Sequence, residues 1–129
     1  MKNLNDFLGS YGELNDALIH SISILYKNES KKPLILIKIE CKSIINDYNW
    51  HFIEINFFDV SEFNISERNS SNQVISNFSA NHWGDKLIFN FSPNVVPSES
   101  VEEHRGSSLY LICENFDWRV LSENNLYVI

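Results

Sequence analysis

Two long stretches in which apolar residues occupy every second position lie close together in the chain, and they constrain the fold most. In residues 34–42 the alternate positions from Ile35 to Cys41 are all apolar, and in residues 50–60 those from Ile53 to Phe57 are too. A period of two is typical of strands with one buried face. Asn46–Asn49 lies between them and has the composition of a turn. We predict a long antiparallel hairpin whose first strand is buried on both faces at its start and solvated at its end.

Similar alternation occurs before and after this hairpin. Ile22, Ile24 and Tyr26 alternate with serines ahead of the polar connection 27–33, and Leu87, Phe89 and Phe91 alternate after a turn at 84–86. Residues 108–129 contain two or three closing strands, with turns expected at 114–115 and 124–125. The fold class predicted is therefore mainly β, with about seven antiparallel strands in a curled sheet, a sandwich or a partly open barrel. An α+β fold is the alternative.

Helical patterns are few and short. The first ten residues place Leu4, Phe7 and Leu8 on one side of a short helical turn that we expect to end at Gly9. A second short helix is predicted over Asn72–Phe78, in the least regular third of the chain. The segment Ser98–Ser108 is expected to be an exposed acidic stretch.

Charge is distributed unevenly along the chain. Residues 1–43 contain six basic and five acidic side chains, whereas residues 44–129 contain four basic and twelve acidic ones. The formal net charge is −7. An acidic surface repels phosphate backbones and attracts basic proteins. We therefore expect a basic protein partner and no nucleic acid.

Other features of the sequence restrict compartment and cofactors. The 129 residues are expected to form one domain. Residues 1–14 have no apolar run of the kind found in signal peptides, and no run of consecutive apolar residues in the sequence is as long as a membrane helix requires. Cys41 and Cys113 each lie in an apolar run, which is typical of reduced, buried thiols. We expect a cytoplasmic protein with no membrane association and no cofactor, as a monomer or homodimer.

Three histidine–carboxylate pairs suggest a metal site, although none has zinc-motif spacing. The pairs are Asp16–His20, His51–Glu54 and His82–Asp85. A zinc site needs three or four converging ligands. The prediction is no metal site, and the alternative is a small metal-dependent hydrolase that uses Asp16, His20 and another histidine.

Candidate nucleophiles are equally weak. His20–Ser21 and His104–Ser107 place a serine near a histidine, but neither has the Gly-x-Ser-x-Gly turn that exposes a catalytic serine. Neighbouring residues of a strand also point to opposite faces. We predict no catalytic residues and no enzymatic activity.

Acidic residues mixed with aromatic ones are the strongest binding signal. Acidic rims speed association with cationic partners, and a few aromatic side chains supply most of the affinity in protein interfaces. Tyr48, Trp50, Phe63 or Trp118 would serve as anchors if they are exposed. The predicted partner-binding residues are Asp47, Tyr48, Trp50, Glu62, Glu99, Glu102, Glu103, Asp117 and Trp118.

Three short strings carry a resemblance to known families. They are Gly12–Asp16 (G-x-L-N-D), Trp50–Val60 (W-H-x-I-x-I-x-F-x-D-V) and the late acidic loop Glu99–Ser107. In these the chain resembles small uncharacterised bacterial proteins and the immunity proteins of contact-dependent and polymorphic toxin systems. The resemblance implies a protein that binds and blocks a cognate toxin domain, often a basic nuclease, without catalysis of its own. A structural or oligomer-forming β domain remains a further alternative.

Overall fold

In the computed structural model of the chain, two antiparallel sheets pack against each other and a short helix closes one side. The structure describes residues 3–12, 14–26, 32–46, 49–66, 73–75, 77–92 and 100–121. The elements are α1 (Leu4–Tyr11), β1 (Ala17–Leu25), β2 (Leu34–Ser43), a 3-10 helix (Ile44–Asn46), β3 (Asn49–Phe58), β4 (Glu62–Ile65), β5 (Val74–Ile75), β6 (Ser79–Trp83), β7 (Lys86–Asn90), α2 (Val101–Arg105), β8 (Leu109–Cys113) and β9 (Asn115–Leu121).

The sheets have five and four strands, in the orders β5-β1-β2-β3-β9 and β4-β8-β7-β6. The predicted mainly β class is confirmed, and the arrangement is that of a sandwich. The predicted hairpin is confirmed too, because β2 and β3 pair antiparallel from Ile35 opposite Phe57 to Ser43 opposite Asn49. The described residues contain nine strands, two more than predicted.

The core lies between the two sheets, where the alternating residues meet. The alternate residues Ile35–Cys41 of β2 and Ile53–Phe57 of β3 are completely buried. Phe89 in the opposite sheet lies with its ring centre 4.9 Å from that of Phe57 and 4.9 Å from that of Phe116. Because these inward positions are apolar, a one-residue slip of either strand would turn this surface out to water.

Helix α1 covers one side of this core. Asn3 caps it by accepting a hydrogen bond from the Asp6 backbone, and Asp6 accepts one from the Asn3 backbone in return. Phe7 packs edge-on against Phe116 and Trp118. The helix was predicted to end at Gly9, but it continues to Tyr11. It does so because Leu4, Phe7 and Tyr11 all face the core.

One local prediction is wrong because tertiary pairing decides the structure, and a predicted turn proves to be a crossing between the two sheets. The helix predicted over Asn72–Phe78 is replaced, in its described part, by β5, which pairs with Ala17 and Leu18 of β1. The turn predicted at Glu114–Asn115 is the point at which the chain leaves the four-stranded sheet as β8 and enters the five-stranded sheet as β9. The turn predicted at 124–125 lies outside the described residues.

Burial differs from prediction in two places. The outward face of β2 is exposed at its end, at Lys42, as predicted, but at its start Leu34 and Leu36 are only half-buried, and Lys38 in the middle is buried opposite Glu54 of β3. The segment Ser98–Ser108 is not a wholly exposed acidic stretch. In its described part, from 100 onward, it contains α2 and the buried side chains of His104 and Ser107.

Candidate functional site

The predicted partner-binding residues do not lie on one face of the molecule. Glu62, Glu102 and Glu103 lie on or beside α2, on the outer side of the four-stranded sheet. Trp50 and Asp117 lie on the outer face of the five-stranded sheet, where they pair with Lys42 and Asn56. Asp47, Tyr48 and Glu99 lie outside the described residues.

Trp118 is a core residue and cannot serve as an exposed anchor. Its side chain is only 7% exposed and packs against Phe7 and Phe116. The reason is its place in β9, where it lies opposite Ile55 on the inward face of the sheet. Trp118 was predicted to be an anchor only if its side chain is exposed, and it is buried. Phe63 is half-buried and packs against the core.

A buried polar network attaches α2 to the sheet below it. Asn90 of β7 and His104 of α2 share a hydrogen bond of 3.0 Å between Nδ2 and Nδ1, and His104 is 3% exposed. The Ser107 hydroxyl donates to Asn90 Oδ1 at 2.7 Å and accepts from the Leu109 backbone at 3.1 Å. Burial lowers the pKa of His104, which favours the neutral ring that this bond requires.

Arg105 neutralises part of the negative charge beside α2. Its guanidinium donates two hydrogen bonds to the Glu62 carboxylate, at 2.8 and 2.9 Å, and a third to Glu102. The Tyr110 hydroxyl also donates to Glu62, at 2.6 Å. The hydrogen bond from Arg105 is the largest cause of a lowered pKa of Glu62, and the bond from Tyr110 lowers it further. Burial and the bond to Glu62 raise the pKa of Tyr110 to about 12. The acidic set predicted here is therefore partly paired within the fold.

Next to this network is a shallow groove with a volume of about 330 Å³. Its most exposed large side chain is Trp83 of β6, at 49%. Carboxylate, ammonium, aromatic and aliphatic groups all border it. The lining residues are Ser61, Glu62, Trp83, Lys86, Val101, Arg105 and Ile112.

A second exposed surface lies at the end of the β2–β3 hairpin, and we call Ile44, Ile45 and Trp50 the hairpin corner. The 3-10 helix leaves Ile44 40% exposed and Ile45 77% exposed, and Trp50 at the start of β3 is 47% exposed. The Lys42 ammonium lies 5.4 Å from the centre of the Trp50 ring, a cation–π contact. Lys42 also lines a pocket with Ile44. Three large apolar side chains exposed within seven residues of the chain, at one end of a hairpin, are typical of interaction sites.

The connection from α1 to β1 borders the hairpin corner and has unusual backbone geometry. Gly12, Leu14 and Asp16 have φ values of +60°, +52° and +62°. A Cβ on Gly12 would lie 2.9 Å from Ile44 Cδ1, so only glycine fits there without movement of Ile44. Strained residues of this kind are frequent at binding sites. With Ile44 of the corner they form a pocket of about 220 Å³, lined by Tyr11, Gly12, Leu14, Asn15, Asp16, Lys42 and Ile44.

The hairpin corner is only partly predictable from the sequence. The sequence pattern identified Trp50 and its neighbours 47 and 48, but not Ile44 or Ile45. The available signal was the adjacent pair of isoleucines, which interrupts the alternation of β2 just before a turn. Two neighbouring apolar residues at a turn cannot both reach the core of a sandwich.

The proposed histidine–carboxylate pairs do not assemble into a metal site within the described residues. No three His, Cys, Asp or Glu side chains in that part of the chain are close enough to hold an ion. Asp16 lies in the turn before β1, and four extended residues from Asp16 to His20 span about 13 Å. His20 instead lies 3.2 Å from Glu40 of the neighbouring strand, measured between Nε2 and Oε1. His82 and Asp85 are exposed at the β6–β7 turn.

The candidate nucleophiles are engaged in the fold. Ser107 is buried and its hydroxyl holds Asn90 and the Leu109 backbone. Cys41 and Cys113 are free, buried thiols, as predicted, and burial raises the pKa of each to about 12. The thiolate that a nucleophilic cysteine needs is therefore strongly disfavoured at neutral pH.

Comparisons with protein-family models, curated proteins and solved structures gave no match to this chain. Among the described residues, neither helix is long and apolar enough to cross a membrane.

Proposed function

We propose that this protein is a non-enzymatic inhibitor that binds a basic protein, as immunity proteins of bacterial toxin systems do. The observation that carries the proposal is the hairpin corner, where Ile44, Ile45 and Trp50 are each exposed at one end of the β2–β3 hairpin. The partner we propose is a toxin domain, such as a nuclease, whose active site or substrate groove is occluded by the bound inhibitor. The cytoplasm is the compartment we propose.

The hairpin corner supports high affinity on physical grounds. Burying a fully exposed large apolar side chain contributes about 1.5–3 kcal/mol, so covering the exposed parts of these three contributes a fraction of that each, and tryptophan is enriched among the residues that dominate protein interfaces. Lys42 lies beside the exposed indole, and the backbone of Gly12 lies close to Ile44, so two of the three side chains have neighbours that restrict them. Preorganisation lowers the entropy lost on binding.

Charge supports the choice of a basic partner. The chain carries a net charge of −7, and its acidic residues are concentrated after residue 43. Such a field accelerates the approach of a cationic protein, whereas it slows an acidic one. In this proposal Glu102, Glu103 and Asp117 act at long range, and the hairpin corner makes the close contact.

The experiment that tests the proposal is co-expression with a basic protein encoded immediately upstream of this chain's gene. Growth reports inhibition of toxicity, and affinity purification reports the complex. We expect restored growth and a stable complex. A toxic upstream product that this chain neither binds nor neutralises would contradict the proposal.

A charge-matched pair of variants places the contact. Ile45→Asp introduces one negative charge into the hairpin corner, and Val120→Asp introduces the same charge on β9, where the side chain is 59% exposed. We expect the first variant to lose protection and the second to keep it. Equal behaviour of two folded variants would refute the corner as the contact surface.

A further inference from the structure

The pocket between the α1–β1 connection and the hairpin corner extends the surface proposed above, and we call it the Asp16 pocket. It shares Ile44 with the corner, and its volume is about 220 Å³. Sites that enclose a drug-sized ligand have volumes of about 300–1,000 Å³. The Asp16 pocket is smaller, so its size fits one protruding side chain of a partner and not a free small molecule.

The wall of this pocket combines apolar groups with a polar rim. Tyr11 and Leu14 are 7% and 2% exposed, and Ile44 adds a further apolar side chain. Asn15 and Asp16 line the same pocket and are both exposed. Long cationic side chains bury their methylene stems against apolar surface and keep the charged end among polar groups. The composition of the wall therefore matches a lysine or an arginine.

The backbone that carries Asp16 is held by hydrogen bonds. The Asp16 N–H donates to the Ile75 carbonyl at 2.9 Å, and the Ala17 N–H donates to the Leu14 carbonyl at 3.1 Å. Asp16 has a φ of +62°, a conformation in which aspartate and asparagine are enriched among residues other than glycine. The carboxylate therefore extends from a fixed part of the chain at the rim of the pocket.

The lysine that lines the pocket does not neutralise this carboxylate. Lys42 and Asp16 are both described residues, and no nitrogen–oxygen distance of 4 Å or less joins their side chains. The Lys42 ammonium lies instead 5.4 Å from the centre of the Trp50 ring. The chain as a whole has a net charge of −7, which favours a cation over an anion as the entering group.

We propose that the Asp16 pocket accepts an arginine side chain of the basic partner, with the Asp16 carboxylate as its counter-charge. This inference rests on the proposed function, because it names the group that the inhibited protein presents beside the hairpin corner. Asp16 and Asn15 together supply several oxygen acceptors. A guanidinium has five N–H donors in one plane and is more weakly hydrated than an ammonium, so arginine fits this rim better than lysine does. Arginine is also enriched among the residues that dominate protein interfaces.

A titration without any partner protein tests the pocket itself. The probe is N-acetylarginine amide, and its citrulline counterpart has nearly the same shape and no charge. We expect the arginine probe to bind weakly, in the millimolar range, and to shift the backbone amide resonances of Asn15 and Asp16 in the isotope-labelled protein. Equal shifts with the citrulline probe, or no shifts with the arginine probe, would overturn the proposal.

Two aspartates of the chain form a matched pair for this titration. Asp16 and Asp59 are both exposed and have φ values of +62° and +53°, but only Asp16 lines the pocket. Asparagine adopts the same backbone conformation, so both Asp→Asn variants are expected to fold. We expect Asp16→Asn to weaken binding of the arginine probe about fivefold, as loss of a surface ion pair does, and Asp59→Asn to leave it unchanged. Equal affinities of the two variants would contradict the role of Asp16.

The same variants separate this inference from the proposed function. In the complex with the basic partner, Asp16→Asn should raise the dissociation rate about fivefold, and Asp59→Asn should not change it. A complex that Asp16→Asn leaves unchanged would overturn the role of the pocket while the inhibitor function stands. Failure of the unmodified chain to bind the basic protein contradicts the inhibitor function, and it is recognised separately because the probe titration needs no partner.

Discussion

At the scale of single residues, His104 links charge to stability. The ring is almost completely buried beneath α2 and is hydrogen-bonded to Asn90. Its ordinary pKa of 6.5 is lowered in the folded protein, mainly by burial. The unfolded chain therefore binds a proton at a higher pH than the folded chain does.

It follows that acid weakens the fold through this residue. The stabilising contribution is present above pH 6.5 and is lost as the pH falls from there through the lower folded pKa. We expect the urea midpoint to fall between pH 7 and 5.5. In His104→Gln it should be lower at pH 7 and change less with pH, while His82→Gln, at an exposed position, should follow the unmodified protein. Parallel pH profiles for all three would contradict this role.

Thiol chemistry gives a second prediction at the residue scale. Cys41 and Cys113 are buried, and the pKa of each is raised to about 12. We expect both thiols to react slowly with an aromatic disulfide reagent in the folded protein and rapidly in denaturant. Fast reaction of either thiol without unfolding would show that the core opens locally there.

At the scale of elements, the sequence predicted those strands whose own residues alternate between apolar and polar. It did not predict the strand that forms only because it pairs with a neighbouring strand. The alternation in β2 and β3 predicted both the hairpin and its buried face, because the inward positions Ile35–Cys41 and Ile53–Phe57 are all apolar. The two residues of β5 form a strand only because β1 lies beside them, and no pattern in a single segment records that. The position of α2 likewise depends on the hydrogen bond between His104 and Asn90. These two residues are fourteen positions apart in the chain, so no local pattern predicts it.

The connection between α1 and β1 gives a prediction for a matched pair of glycines. Gly12 and Gly84 have φ values of +60° and +63°, but a Cβ would meet Ile44 Cδ1 at 2.9 Å in the first and nothing within 4 Å in the second. Replacing a glycine at positive φ costs about 1 kcal/mol from the backbone alone. Measured by urea unfolding, Gly12→Ala should reduce the free energy of unfolding more than Gly84→Ala. The reverse order would contradict the close packing of Ile44 on this connection.

At the scale of the whole molecule, charge and apolar exposure have separate roles. The net charge of −7 acts over the Debye length of about 8–10 Å, so it affects how fast a partner arrives. The hairpin corner acts only in contact, so it affects how long the partner stays. The sequence predicted an acidic binding face, but Glu62 and Glu102 are paired with Arg105, and Trp50 lies on the opposite side.

Salt separates these two contributions. We expect the association rate with the basic partner to fall on the order of tenfold or more between low and physiological salt, while the dissociation rate changes little. Stopped-flow or biosensor kinetics at several salt concentrations measure both rates. An association rate that does not depend on salt would remove the electrostatic part of the proposal.

The most direct test of the binding proposal compares two tryptophans of similar exposure on opposite sides of the sandwich. Trp50 is 47% exposed in the hairpin corner, and Trp83 is 49% exposed in the groove beside α2. With the basic partner bound, Trp50→Ala should increase the dissociation rate about 30-fold, equivalent to about 2 kcal/mol, and Trp83→Ala should leave it nearly unchanged. Faster dissociation of Trp83→Ala alone, or no effect of Trp50→Ala, would contradict the assignment of the hairpin corner as the binding surface.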